Sequence, residues 1–353
     1  MLDPKTWRII DWPADHPPVV VVVVDTEADF DWTRGPHRNA RGVASVKDQK
    51  LTQPIFERYG VRPTFVLDFP VSSMQEGYEF VRDLYRSGGC VIGAHLQPWD
   101  NPPFVEPITD RNSYPGNLPI ELEREKLARL TYTIEKNIGV RPRIYKAGRY
   151  GVGPATAQIL AELAYEIDVS VVPGTNLSSK FGPDFSRCGA RPYWFGHHPQ
   201  LLEIPLSIGY TGLLASFEVV ARLLTMDDRL KILHIPGMLA RLGLIERITL
   251  TPEGISFPEL RRLTRALLRN GHRVFSFTYH SPSLAPGNTP YVRKMADLRA
   301  FLRRIEQYFE FFMGELGGRA ATPFEVKAIA EQCIGNPVIT ANAEVKSSSM
   351  KND

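Results

Sequence analysis

VVVVVVDTEADFDW, residues 19–32, contains six consecutive valines that stop on Asp25. An unbroken β-branched run of this kind reads as a strand buried on both faces, as in a parallel sheet. The same grammar repeats along the chain. Residues 64–67 (TFVL) end at Asp68, 90–94 (CVIGA) deliver His95, and 143–146 (RIYK) run into Ala147-Gly148-Arg149. Residues 167–172 form a further extended stretch, 201–205 (LLEIP) carry Glu203, and 274–279 (VFSFTY) deliver His280. Between these runs, helical patterns cover 46–59, 75–87, 120–138, 153–164, 256–270 and 290–316.

Short apolar strands alternating with helices predict a parallel α/β architecture. Seven or eight such units favour a distorted (β/α) barrel with C-terminal helices and a helical insertion at 214–242, with an open doubly wound sheet as the alternative. Residues 18–335 are expected to form one domain, preceded by an N-terminal extension, 1–17. The polar tail, 336–353, is expected to be disordered.

The chain has 353 residues, with 42 basic side chains against 39 acidic and a formal charge of +3. That balance, without a basic block, argues against a nucleic-acid groove. The longest apolar run is too short to span a bilayer, and the N-terminus lacks the apolar core of a secretory signal. Cytoplasmic residence without stable membrane insertion is the expectation. Cys90, Cys188 and Cys333 lie far apart and form no metal-binding spacing; buried thiols are their simplest reading.

In α/β folds, ligands bind beyond the carboxyl ends of the strands. Asp25, Asp68, His95, Arg149, Glu203 and His280 all fall at or just past such an end, so the topology would bring them to one rim. Competing motifs fare poorly. The alternating carboxylates from Asp25 onward lack the Gly and Glu of a calcium loop, having Phe30 and Pro36 there instead. Gly148, Gly151 and Gly153 do not match a phosphate-binding GxGxxG, and no GxSxG elbow is present.

In this order, the residues resemble the NodB-type polysaccharide deacetylases (carbohydrate esterase family four), in particular a branch associated with bacterial exopolysaccharide genes. The likeness covers roughly residues 18–330. It is carried by VVVDTEADFDW, IGAHLQPWDNPP, KAGRYGVGP, LLEIPLS and FSFTYHSPSLAPGNTPYV. The resemblance implies metal-assisted removal of acetyl groups from N-acetylated, or O-acetylated, sugars in a polysaccharide or its precursor. It casts Asp25 as general base, His280 as general acid, Arg149 as the cation pairing Asp25, and Glu27 and His95 as ligands of a divalent metal, zinc. Trp99, Tyr150 and Tyr291 are candidates for stacking on sugar rings. One departure stands out: relatives of that branch carry His-Leu-His-Pro-Trp where this chain has His95-Leu-Gln97-Pro-Trp99, so Gln97 replaces a histidine, with Asp100 as another oxygen donor nearby. Two other readings stay open: a glycan-binding or regulatory relative without an effective metal, and a cyclic-amide hydrolase on the same fold.

Overall fold

The computed structural model describes residues 3–13, 15–30, 32, 35–38, 42–196, 200–214, 238–239 and 242–335. Twelve strands are present among them: β1 (Arg8–Ile9), β2 (Val19–Thr26), β3 (Thr64–Leu67), β4 (Val91–Leu96), β5 (Ile144–Ala147), β6 (Ile167–Asp168), β7 (Tyr193–Phe195), β8 (Leu201–Glu203), β9 (Ile208–Thr211), β10 (Glu246–Thr249), β11 (Val274–His280) and β12 (Arg319–Ala320). Helices α1 (Gln53–Arg58), α2 (Phe69–Ser73), α3 (Gln75–Arg86), α4 (Ile120–Ile138), α5 (Thr156–Glu162), α6 (Phe257–Arg269), α7 (Met295–Phe309) and α8 (Pro323–Gly335) lie between and after them.

The fold is mixed α/β around a central, mainly parallel sheet. Strands β8-β6-β5-β4-β3-β2-β11 run parallel in that spatial order, and β12 adds parallel to the start of β2. Beyond β8 the sheet continues through antiparallel β7 and β1. The strand number and sense match the barrel expectation. Among the described residues no ladder joins β11 back to the far side of the sheet. Separate hydrogen bonds bridge the gap: Ser276 N–H donates to Ser207 Oγ at 2.9 Å, Leu250 N–H to Ser207 O at 2.9 Å, and Thr278 N–H to Leu250 O at 3.2 Å.

All eight residues of β2 are buried. Side chains alternate across a strand, so Val19, Val21 and Val23 join an inner cluster with Ile144, Ile167 and Leu202. Val20, Val22 and Val24 pack outward with Phe65, Tyr145 and Phe277 against the helices. Each fully buried valine stabilises the fold by roughly 1.5–3 kcal/mol before chain entropy is counted. Asp25 continues the inward series, so its carboxylate enters the interior at the carboxyl end of the strand.

Several elements differ from the sequence reading. The 46–59 helix is split into a 3-10 segment, Ala44–Leu51, and α1; Pro54 lacks the N–H that would continue one helix through that point. The N-terminal extension is built into the sheet through β1, and Ile10 is buried, donating to Pro192 O at 3.0 Å. Residues Tyr193–Phe195 form β7, a strand absent from the sequence reading. Most of the 214–242 stretch and the 336–353 tail lie outside the described residues.

Candidate active site

Cross-strand pairing assembles the site. Asp25 on β2 is the register partner of His280 on β11, and His95 on β4 is the partner of Lys146 on β5. Lys146 crosses the interior to place its ammonium 2.5 Å from Asp25 Oδ1, with both side chains almost fully buried. Its second contact is Thr278 Oγ1 at 3.3 Å, and the Tyr150 ring centroid lies 5.5 Å away. Burial alone would raise the Asp25 carboxyl, but Lys146, with His95 and His280, holds it below its ordinary value.

The other Asp25 oxygen, Oδ2, lies 3.5 Å from His280 Nε2. On the far side of the ring, Nδ1 donates to Glu253 Oε2 at 2.8 Å, and the His280 backbone N–H donates to Glu253 Oε1 at 3.1 Å. Glu253 is itself fixed by the Ser283 hydroxyl at 2.5 Å. Burial would pull the imidazole down, but the Glu253 carboxylate, reinforced by Glu27 and Asp25, raises it to about 9. The His280 side chain is 21% exposed, so this end of the site opens outward.

The candidate metal ligands form a second, deeper group. His95 Nδ1 donates to the Lys146 carbonyl at 3.1 Å; a carbonyl only accepts, so Nε2 is the nitrogen turned toward Glu27 Oε2, 3.7 Å away. Gln97 Nε2 donates to that same Glu27 oxygen at 2.5 Å. Glu27 Oε1, Gln97 Oε1 and Asp100 Oδ1 are buried with no hydrogen-bond partner among the described residues. Asp100 is driven well above the carboxylate range by burial and by Asp68 and Glu27. Asp68 is raised to about 7 by burial despite capping α2 through Val71 N–H at 2.8 Å and accepting from Ala28 N–H at 2.6 Å. A catalytic zinc site takes three protein ligands. Among the described residues no three His, Cys, Asp or Glu side chains are grouped to hold a metal ion. The donor set built on Glu27 and His95 therefore does not fit a zinc-type ion as it stands.

Several expected placements differ. The cation against Asp25 is Lys146, not Arg149. After β5 the chain turns through two left-handed non-glycine residues, Arg149 (φ 54°) and Tyr150 (φ 61°). That turn carries the Arg149 guanidinium to the Ser113 hydroxyl, to Asp110 at 3.8 Å and over the Tyr114 ring at 4.5 Å. Trp99 is only 6% exposed and offers no face to a sugar. Glu203 is not on the rim: it is fully buried on the helix-facing side beside its register partner Asp168. Asp29 ties down its own loop, accepting from the Ser45 hydroxyl and from Asn288 Nδ2 at 2.9 Å. The Gly148–Gly153 turn serves close packing, since a Cβ on Gly153 would lie 2.3 Å from Gly116 O and one on Gly148 2.6 Å from Leu96 O.

Tyr150 and Tyr291 do border the site. Tyr150 is pushed up by burial and then by Asp25 and Glu253, and Tyr291 by burial and Glu253. Trp32, which the sequence reading did not single out, meets the His280 ring edge-on at 4.8 Å and Tyr291 at 6.0 Å.

No family model matches the chain, and no curated protein matches it. Solved structures do. A protein of Mycobacterium smegmatis described as a polysaccharide deacetylase superposes with a TM-score of 0.50 at 18% identity, covering 95% of this chain and 96% of that one. An allantoinase gives a TM-score of 0.53 at 13% identity, covering 93% and 94%. A 4-alpha-glucanotransferase of Thermococcus litoralis gives 0.50 at 12%, covering 89% of this chain and 40% of that one. At these identities the likeness establishes a shared fold. Three different activities are named on that fold, so chemistry must be argued from the site.

Proposed function

We propose that the chain is a hydrolase that removes acetyl groups from N-acetylated sugars in a polysaccharide or its precursor, with O-acetyl groups as the easier variant of the same reaction. The observation that carries this reading is the Asp25–His280 pair on adjoining strands, with His280 oriented from behind by Glu253 and open on one side. The ordered motifs of the sequence and the aromatic border of Trp32, Tyr150 and Tyr291 support a sugar amide as the substrate.

Asp25 stays a carboxylate and is positioned to take a proton from water as the water oxygen attacks the acyl carbon. Lys146 fixes Oδ1 and leaves Oδ2 as the basic edge. His280, charged at neutral pH through Glu253, gives its Nε2 proton to the sugar nitrogen as the C–N bond breaks, releasing acetate and a free amine. An amide needs both kinds of help, because it is a weak electrophile with a poor leaving group; each proton-transfer group contributes roughly 10²–10⁴-fold.

The test is acetate release from N-acetylhexosamine oligomers, with and without added zinc, cobalt or nickel. Release is expected from the wild type, with a fall of at least ~100-fold for Asp25→Asn and for His280→Ala. Glycan binding without release in every condition would leave a binding protein on the same fold and end the hydrolase reading.

A further inference from the structure

We propose that Gln97 is the residue that keeps Glu27 and His95 from holding a zinc-type ion, so that position 97 acts as the metal determinant of this site. Two donors are already in place. His95 has Nδ1 engaged by the Lys146 carbonyl, which leaves Nε2 facing Glu27 at 3.7 Å. Glu27 retains a buried oxygen, Oε1, with no partner among the described residues. Neither Asp68 nor Asp100 completes the set in its present position: among the described residues no three His, Cys, Asp or Glu side chains are grouped closely enough to hold a metal ion.

Gln97 stands where a third donor is needed and presents the wrong group. Its Nε2 donates to Glu27 Oε2 at 2.5 Å, so an amide N–H points at the oxygen that His95 also faces. Its carbonyl oxygen is buried and unpartnered among the described residues. Turning that amide toward an ion would break the Glu27 hydrogen bond and offer only a neutral oxygen, whereas zinc is held by imidazole, thiolate or carboxylate. An imidazole at 97 would replace the competing N–H with a lone pair.

This inference concerns the site used in the deacetylase reading, but its test needs no substrate, so either can fail alone. The full-length wild type and Gln97→His are loaded with zinc, dialysed, and measured for bound metal by mass spectrometry, with affinity from competition against a chromophoric chelator. The wild type should retain well under one equivalent. Gln97→His should retain a full equivalent and bind at least ~100-fold more tightly, since even outer-shell changes at zinc sites cost 10–100-fold. Adding His95→Ala to Gln97→His should abolish the gain. A wild type that retains a full equivalent overturns the proposal, as does a folded Gln97→His that gains none. If Gln97→His does not fold, the near-isosteric Gln97→Glu carries the same expectation through a carboxylate donor: more zinc than wild type supports the proposal, and equal zinc overturns it.

Discussion

His280 is the most informative single residue, because its state is set by a neighbour. The Glu253 carboxylate accepts from both its ring and its backbone and raises it to about 9. A general acid works while protonated, so activity should be lost as pH rises through that value. Glu253→Gln removes the charge, so the alkaline limb of the pH–rate profile should move down from about 9 toward the ordinary imidazole value near 6.5. An unmoved limb in a folded variant would dissociate Glu253 from the acid. At this scale, Asp25, His95 and His280 were legible because an apolar strand stopping on an ionisable residue marks a rim. Lys146 was hidden by strand alternation: it closes the run RIYK, and nothing local signals that its ammonium crosses the interior. Glu253 lies in a Thr-Pro-Glu-Gly turn with no periodicity to flag it. Arg149 was misplaced because its left-handed turn cannot be read from residue type.

At the level of elements, the β6–β8 pair carries a polarity that its apolar neighbours conceal. Register places Tyr145, Asp168, Glu203 and Tyr193 in one row across β5, β6, β8 and β7. Burial raises both carboxyls, Glu203 the more strongly, and Glu203 Oε2 and the two tyrosine hydroxyls have no partner among the described residues. These folded-state values lie above the unfolded ones, so the folded chain binds more protons and stability falls as pH climbs from the unfolded carboxyl range. Glu203→Gln keeps an acceptor for Val171 N–H and gives Asp168 a permanent donor. It should stabilise the protein by about 1–3 kcal/mol at neutral pH, with the advantage shrinking toward pH 4, as read from urea midpoints. A variant less stable than wild type at every pH would rule out a stability cost from burying these two carboxyls side by side. Helix α4 was read to its ends, because buried Leu127, Leu130, Ile134 and Ile138 keep helical spacing and Gly139 stops the helix in a left-handed turn. Strands of two or three residues, such as β1, β7 and β12, carry too short a pattern to be recognised.

Across the whole molecule, the parallel arrangement and the collection of strand ends were legible, whereas the hydrogen bonding between the two ends of the parallel series was not. Among the described residues the bonds at Ser207 and Leu250 link β11 toward the other end of the parallel series, and they belong to no ladder. No helix among the described residues is long and apolar enough to cross a membrane. Strands β2 and β11 present the Asp25–His280 pair, β4 and β5 bring His95 and Lys146 behind it, and Trp32, Tyr150 and Tyr291 border the site. The most direct test of the hydrolase claim is to incubate an N-acetylhexosamine oligomer with the protein in water enriched in oxygen-18 and to weigh both products. The expected result is an oligomer with a free amine in place of an acetamide, together with acetate carrying one solvent oxygen, and neither product with Asp25→Asn. An oligomer recovered intact, or equal release by wild type and Asp25→Asn, would contradict it.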